Sequence, residues 1–281
     1  MSNQGRIRKP GYHVISIKLR SNNRSGPTAY TDILKLINEK RIIVPTRGDE
    51  AMIFRTQFQT EIENVDVLYG SLAKFTRISK DKWIDMDRLE AVDGPEIPSN
   101  LFPNLRDFNY VFVPSIHRFA FARSISPSMV KKFLTTAVKE VIGTDEQHEV
   151  DIQLSRDGIE MIRTAQKIMR ISFELSYSNN DLTSDFTALL DSEYRNMNAG
   201  KVFTNFDQGG PDGLNLENKT LKGLLDLSQN NGTAVARILD SDNHVRKVKT
   251  EDYPETVTAE GKTDEVIRSS LVHRLIAKFG V

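Results

Sequence analysis

Phe108-Asn-Tyr-Val-Phe-Val-Pro-Ser-Ile-His-Arg-Phe-Ala-Phe-Ala-Arg-Ser-Ile-Ser-Pro-Ser-Met-Val-Lys-Lys-Phe-Leu-Thr-Thr-Ala-Val-Lys139 reads as strand, turn, strand, turn, helix. The two short runs Tyr110–Val113 and Arg118–Arg123 flank Pro114-Ser-Ile-His117, a turn signal. Phe119 and Phe121 fall on one strand face and Ala120 and Ala122 on the other. Ser126 is placed to cap the helix, with Pro127 at its first position, where a missing N–H costs nothing. Met129, Val130, Phe133, Leu134, Ala137, Val138, Val141 and Ile142 recur at helical spacing, and Lys131, Lys132 and Lys139 fall largely opposite. Gly143 offers a left-handed stop. The spacing predicts that the two phenylalanines pack beneath this helix.

Working outward, residues 1–11 read as a basic arm and residues 12–20 as an alternating strand with Lys18 and Arg20 outward. A helix is expected over 28–40. Strands are expected at 41–44, 51–58, 65–77 and 83–86, which suggests an antiparallel meander. Residues 90–103, rich in Pro and Asn, read as a loop. The second half alternates loosely: strand 150–154, helix 157–165, strand 168–177, helix 183–197, strand 202–206, helix 221–227, and a hairpin of 234–239 with 244–249. A last helix spans 264–279. Regular βαβ units are missing from this order, so the class is α+β: mixed, mostly antiparallel sheets with flanking helices. Two lobes are expected, 1–143 and 144–281.

The 281 residues hold equal numbers of basic and acidic side chains, 38 each, so net charge announces no polyanionic partner. Cysteine is absent, which excludes disulfides, thiolate zinc sites, iron–sulfur clusters and a cysteine nucleophile. No run approaches the roughly 20 apolar residues of a membrane span, and no export signal is read at the start. A cytoplasmic protein is expected.

Chemistry-bearing patterns are sparse. His13, His117, His148, His244 and His273 make no pair at metal-ligand spacing. His117 beside Arg118 reads more simply as a turn histidine than as a general base. Asp85/Asp87 and Glu149/Asp151 each set two carboxylates on one face of a possible strand, a geometry suited to Mg²⁺. Asp212 with Glu217 and Lys219 has a nuclease-like composition, but in a turn with too short a gap. Phosphate loops and Gly-x-Ser-x-Gly elbows are absent. No catalytic residue, metal or cofactor is therefore assigned.

Charge patterning is the remaining signal. Residues 1–31 and 108–139 contain Lys and Arg but no Asp or Glu. If they adjoin, they form a basic face for nucleic-acid phosphates, with Arg6, Arg8, Lys9, Arg24, Arg118, Arg123, Lys131 and Lys132 as contacts. No aromatic platform lies beside them, which favours duplex backbone over single strand. Arg246, Lys247 and Lys249 form another basic group, offset by Asp240, Asp242, Glu251 and Asp252.

The run Phe112–Leu134, about a tenth of the chain, resembles the middle segment of RexA-like phage exclusion proteins: a strand ending in Phe-Ala-Arg, a short turn, then a helix. The later order of elements and the chain length are also similar. The chain further resembles bacterial families found in prophages and defence islands. The resemblance implies a dimeric, non-enzymatic DNA-binding protein of abortive infection that acts with a membrane effector encoded nearby, and it carries over Arg123 as the matching Phe-Ala-Arg position. The reading is therefore a sequence-nonspecific DNA-binding component of an antiphage system. The alternatives are a metal-dependent nuclease or toxin using Asp85/Asp87 or Glu149/Asp151, and an adaptor whose partner takes the apolar side of the last helix.

Overall fold

A computed structural model describes residues 6–78, 83–176, 188–189, 192–193, 196–197 and 200–280. The helix expected over 183–197 lies mostly outside the described residues. The fold is α+β, with mixed, mostly antiparallel sheets.

The central strand is β1 (Gly11–Arg20). One edge of it pairs with β8 (Arg118–Ala122); the other is shared end to end by β14 (Thr256–Thr258) and β9 (Gln147–Ile152), all antiparallel. Beyond β8 follow β7 (Arg106–Val113), β4 (Val65–Thr76), β3 (Glu50–Ile62) and the two-residue β2 (Val44–Pro45), which completes an eight-stranded sheet. The expected meander is therefore present through β2, β3 and β4, but the strand expected at 83–86 lies outside this sheet.

Helices cover both faces of this sheet. On one side lie α1 (Gly26–Glu39) and α2 (Pro127–Lys139). Phe119 and Phe121, both fully buried, share that core with Phe133 and Leu134 of α2. Phe54 meets Phe133 edge-on at 5.3 Å, and Tyr110 stacks on Phe119 at 4.9 Å. On the other side α5 (Asp264–Phe279) buries Ile267, Leu271, Val272 and Leu275 against Val14, Val111, Val113 and Ala120. The apolar side of the last helix is thus spent inside the chain and is not free for a partner. Two features of α2 differ from expectation. Ser126 makes no cap to the first-turn amides and instead bonds Ser128, and the helix ends at Glu140 in right-handed geometry, so Gly143 is not its stop.

A second, four-stranded sheet runs β11 (Lys201–Asp207), β10 (Lys167–Ser176), β12 (Gly232–Leu239), β13 (Val245–Lys249), antiparallel throughout. Its inner face carries Ile171, Phe173, Leu175, Ala234, Ala236 and Ile238. These pack on α3 (Arg156–Arg163) and α4 (Lys219–Asn231). The expected lobe boundary after Gly143 does not separate the sheets. β9 and β14, both from the second half, hydrogen-bond to β1, and the small sheet is an insertion between them. The cause is long-range pairing along one edge of β1, which local sequence does not reveal.

The connection from β4 to β7 is an arm carrying a third, two-stranded sheet, β5 (Trp83–Asp85) with β6 (Glu90–Val92). The loop expected at 90–103 is therefore partly strand. No helix among the described residues is long and apolar enough to cross a membrane.

Candidate nucleic-acid interface

The eight cations expected to contact DNA do not form one free face. Arg118 is 3% exposed: α5 lies over its side of the sheet, and its guanidinium donates to Ser16 Oγ and the Ile116 carbonyl beneath the Phe279 ring. This corrects its assignment as a phosphate contact. Arg24 makes two charge-assisted bonds to Glu146, at 2.7 and 2.8 Å. Together with the Gly143 amide, they overcome desolvation and hold the Glu146 carboxyl down to about 2. Arg8 pairs with Asp264 at 2.8 Å and Lys9 with Glu260 at 3.2 Å. Lys131 reaches Asp151 at 3.7 Å, and Lys132 donates to the Thr46 carbonyl. Arg6 and Arg123 are exposed, the first in the segment before β1 and the second in the turn after β8. Four of the eight, Arg8, Lys9, Arg24 and Lys131, are thus paired with acids from outside the acid-free tracts.

The two carboxylate pairs fare differently. Asp85 and Asp87 do not share a strand face: β5 ends at Asp85, and its Oδ1 accepts from the Asp87 and Arg88 amides to hold the turn. Glu149 and Asp151 do share a face of β9, but lysines fill it. Lys18, with a fully buried side chain, spends its three donors on Asp151 Oδ2 (2.9 Å), Ser176 Oγ (2.9 Å) and Asn231 Oδ1 (2.8 Å). Ser176 also bonds Asp151, at 2.6 Å. Desolvation pushes the Asp151 carboxyl up, but Lys18, Lys131 and Ser176 outweigh it and bring it to about 2. Glu149, two residues away, goes the other way: burial raises its carboxyl, opposed by Lys201 at 3.5 Å. With all ammonium donors satisfied and the carboxylate ion-paired, this constellation is a junction between the two sheets. It is neither a metal cradle nor an activated serine–lysine pair. One grouping of metal-ligand type occurs among the described residues: Asp240, Asp242 and His244 in the β12–β13 turn. There Asp240 accepts from the amides of the other two and pairs with Arg246.

Strand register brings together a cation set that the linear sequence hides. Across the outer face of the small sheet, Arg170 stands opposite Arg237, and Arg237 opposite Lys247. Like charges directly opposite one another on adjacent strands cost stability. Asp207 closes one end of the row, 3.5 Å from Arg170. Arg237 and Lys247 are exposed and make no ion pair among the described residues. The next row is Asn205, Ser172, Val235, Lys249, and the next Phe203, Glu174, Thr233. Phe203 is 68% exposed. With Lys201 at its end, the face carries Lys201, Arg170, Arg237, Lys247 and Lys249 against Glu174 and Asp207. Alternation within 168–175 could have marked Arg170, Ser172 and Glu174 as outward, but only pairing aligns Arg170 with Arg237 and Lys247.

A family model described as Domain of unknown function (DUF4747) matches residues 8–277, and the chain belongs to that family. No curated protein matches the chain.

Proposed function

We propose that this DUF4747 chain binds nucleic acid without sequence preference, along the outer face of its small sheet. The observation that carries this reading is the like-charge row Arg170–Arg237–Lys247. A line of cations that destabilises the free sheet becomes favourable when a phosphate chain supplies the counter-charge. Ser172, Asn205 and Thr233 add hydrogen-bonding groups on the same face, and exposed Phe203 adds a surface on which a base can stack. That combination favours single-stranded DNA over duplex, and the binding is non-catalytic.

The biological setting we propose is antiphage defence, as the RexA-like resemblance implies. About half of the residues carrying that likeness, Phe112–Leu134, are buried, among them Phe112, Phe119, Phe121 and Phe133, so they support a shared architecture more directly than a shared contact surface. Phage plating on cells with and without the gene tests the setting.

The molecular claim is tested by fluorescence anisotropy with single-stranded and duplex oligonucleotides of mixed sequence. The expected result is binding that weakens about tenfold or more in Arg237→Ala/Lys247→Ala and favours the single strand. Equal affinity of wild type and double variant would overturn it.

A further inference from the structure

The arm between β4 and β7 exposes an unusual amount of apolar surface. Eight large hydrophobic residues between Trp83 and Leu105 are exposed, among them Ile84 at 60%, Met86 and Leu89 at 72% each, and Leu101 at 58%. Its root is anchored, because Phe102 packs on buried Phe75 at 4.9 Å. Trp83 lies against Gly94, where any Cβ would come within 2.3 Å of the indole nitrogen. The arm is therefore a shaped element with an apolar exterior, which marks an interaction surface. It is also acidic: residues 83–105 carry Asp85, Asp87, Glu90, Asp93 and Glu96 against Arg88 alone. That charge disfavours an anionic bilayer or a nucleic acid as its partner.

We propose that the arm docks on the outer face of the small sheet of a second copy of this chain. Charge and polarity argue for this occupant. The chain is neutral as a whole, so an arm with five carboxylates and one arginine leaves the remainder positive by the same excess. Arg170, Arg237 and Lys247 concentrate positive charge on one sheet face, interleaved with exposed Phe203 and Val245. Apolar-acidic thus meets apolar-basic. Among the described residues no hydrogen bond or ion pair joins the arm to the small sheet within one chain, which leaves that face open to a second copy. Reciprocal docking closes a two-fold pair. The pairing rests on the character of that face and not on nucleic-acid binding, but it uses the same cations, so self-association and nucleic acid compete for them.

The test is sedimentation velocity on nucleic-acid-free protein over a concentration series. Wild type is expected to associate, with association falling as salt rises. Ile84→Asp/Leu89→Asp and Arg237→Glu/Lys247→Glu are each expected to sediment as monomers. Asp87→Lys/Glu90→Lys combined with Arg237→Glu/Lys247→Glu is expected to associate again, which a merely misfolded variant would not do. A wild type that stays monomeric throughout, or association untouched by either pair of substitutions, overturns the proposal. Should Arg237→Glu/Lys247→Glu associate normally yet lose oligonucleotide binding, the docking proposal falls while the nucleic-acid reading stands.

Discussion

Lys18 Nζ lies 2.9 Å from Asp151 Oδ2 in a site closed to solvent; both residues belong to paired strands of the large sheet, and Ser176 and Asn231 tie this pair to the small sheet. Lys18 comes from the central strand of the large sheet, while Ser176 and Asn231, its other partners, stand where the small sheet begins and α4 ends. A buried ion pair is costly to assemble and costlier to break on one side. Lys18→Met alone, or Asp151→Asn alone, is expected to destabilise by about 3–5 kcal/mol. Lys18→Met with Asp151→Leu is expected to recover most of that loss, because no fully buried charge is left unpaired and Lys131, the other cation beside Asp151, is partly exposed to water. Denaturant midpoints of the three variants check this, and a double variant no better than the singles would refute it.

Asp151 and Glu149 share a strand face yet have opposite pH signatures. Asp151 is held at about 2, below its ordinary 3.8. Its contribution to stability is complete above about pH 4 and is lost as pH falls through about 2. Glu146, also held at about 2 by Arg24 and the Gly143 amide, adds a loss of the same sign. Glu149 has a raised carboxyl, so its ionisation opposes folding as pH rises through its folded value. Glu149→Gln is therefore expected to be neutral or mildly stabilising at pH 7, whereas Asp151→Asn is strongly destabilising there. Urea unfolding at pH 7 and at pH 5 separates the two; a Glu149→Gln loss as large as that of Asp151→Asn would contradict this account.

Arg118 is a structural cation and not a phosphate contact. Its removal leaves Ser16 Oγ and the Ile116 carbonyl without a charged donor, at an expected cost of about 3 kcal/mol. Oligonucleotide affinity of folded Arg118→Ala is expected to match wild type under conditions where both are fully native. A large affinity loss with an unchanged melting temperature would return Arg118 to the binding surface.

Local pattern carried the helices and most strands, because their signals are local. Phe133 and its neighbours repeat at helical spacing, and Phe119 and Phe121 alternate as a strand does. What escaped depends on pairing between distant segments. Lys18 alternates outward from the first core as a surface residue would, and only the arrival of β9 and β10 buries it. Arg8 finds its carboxylate 256 residues away. The row on the small sheet combines one residue from each of three strands, so no window of sequence contains it.

The salt dependence of oligonucleotide binding tests the central claim most directly. The measurement is the observed association constant of a single-stranded oligonucleotide from about 50 to about 200 mM salt, for wild type and for Arg237→Ala/Lys247→Ala. The account predicts a steep linear fall of log K with log salt for wild type, and a slope shallower by about 1.4 for the double variant, the contribution of two single-strand phosphate contacts. Binding that ignores salt, or identical slopes for the two proteins, would contradict it.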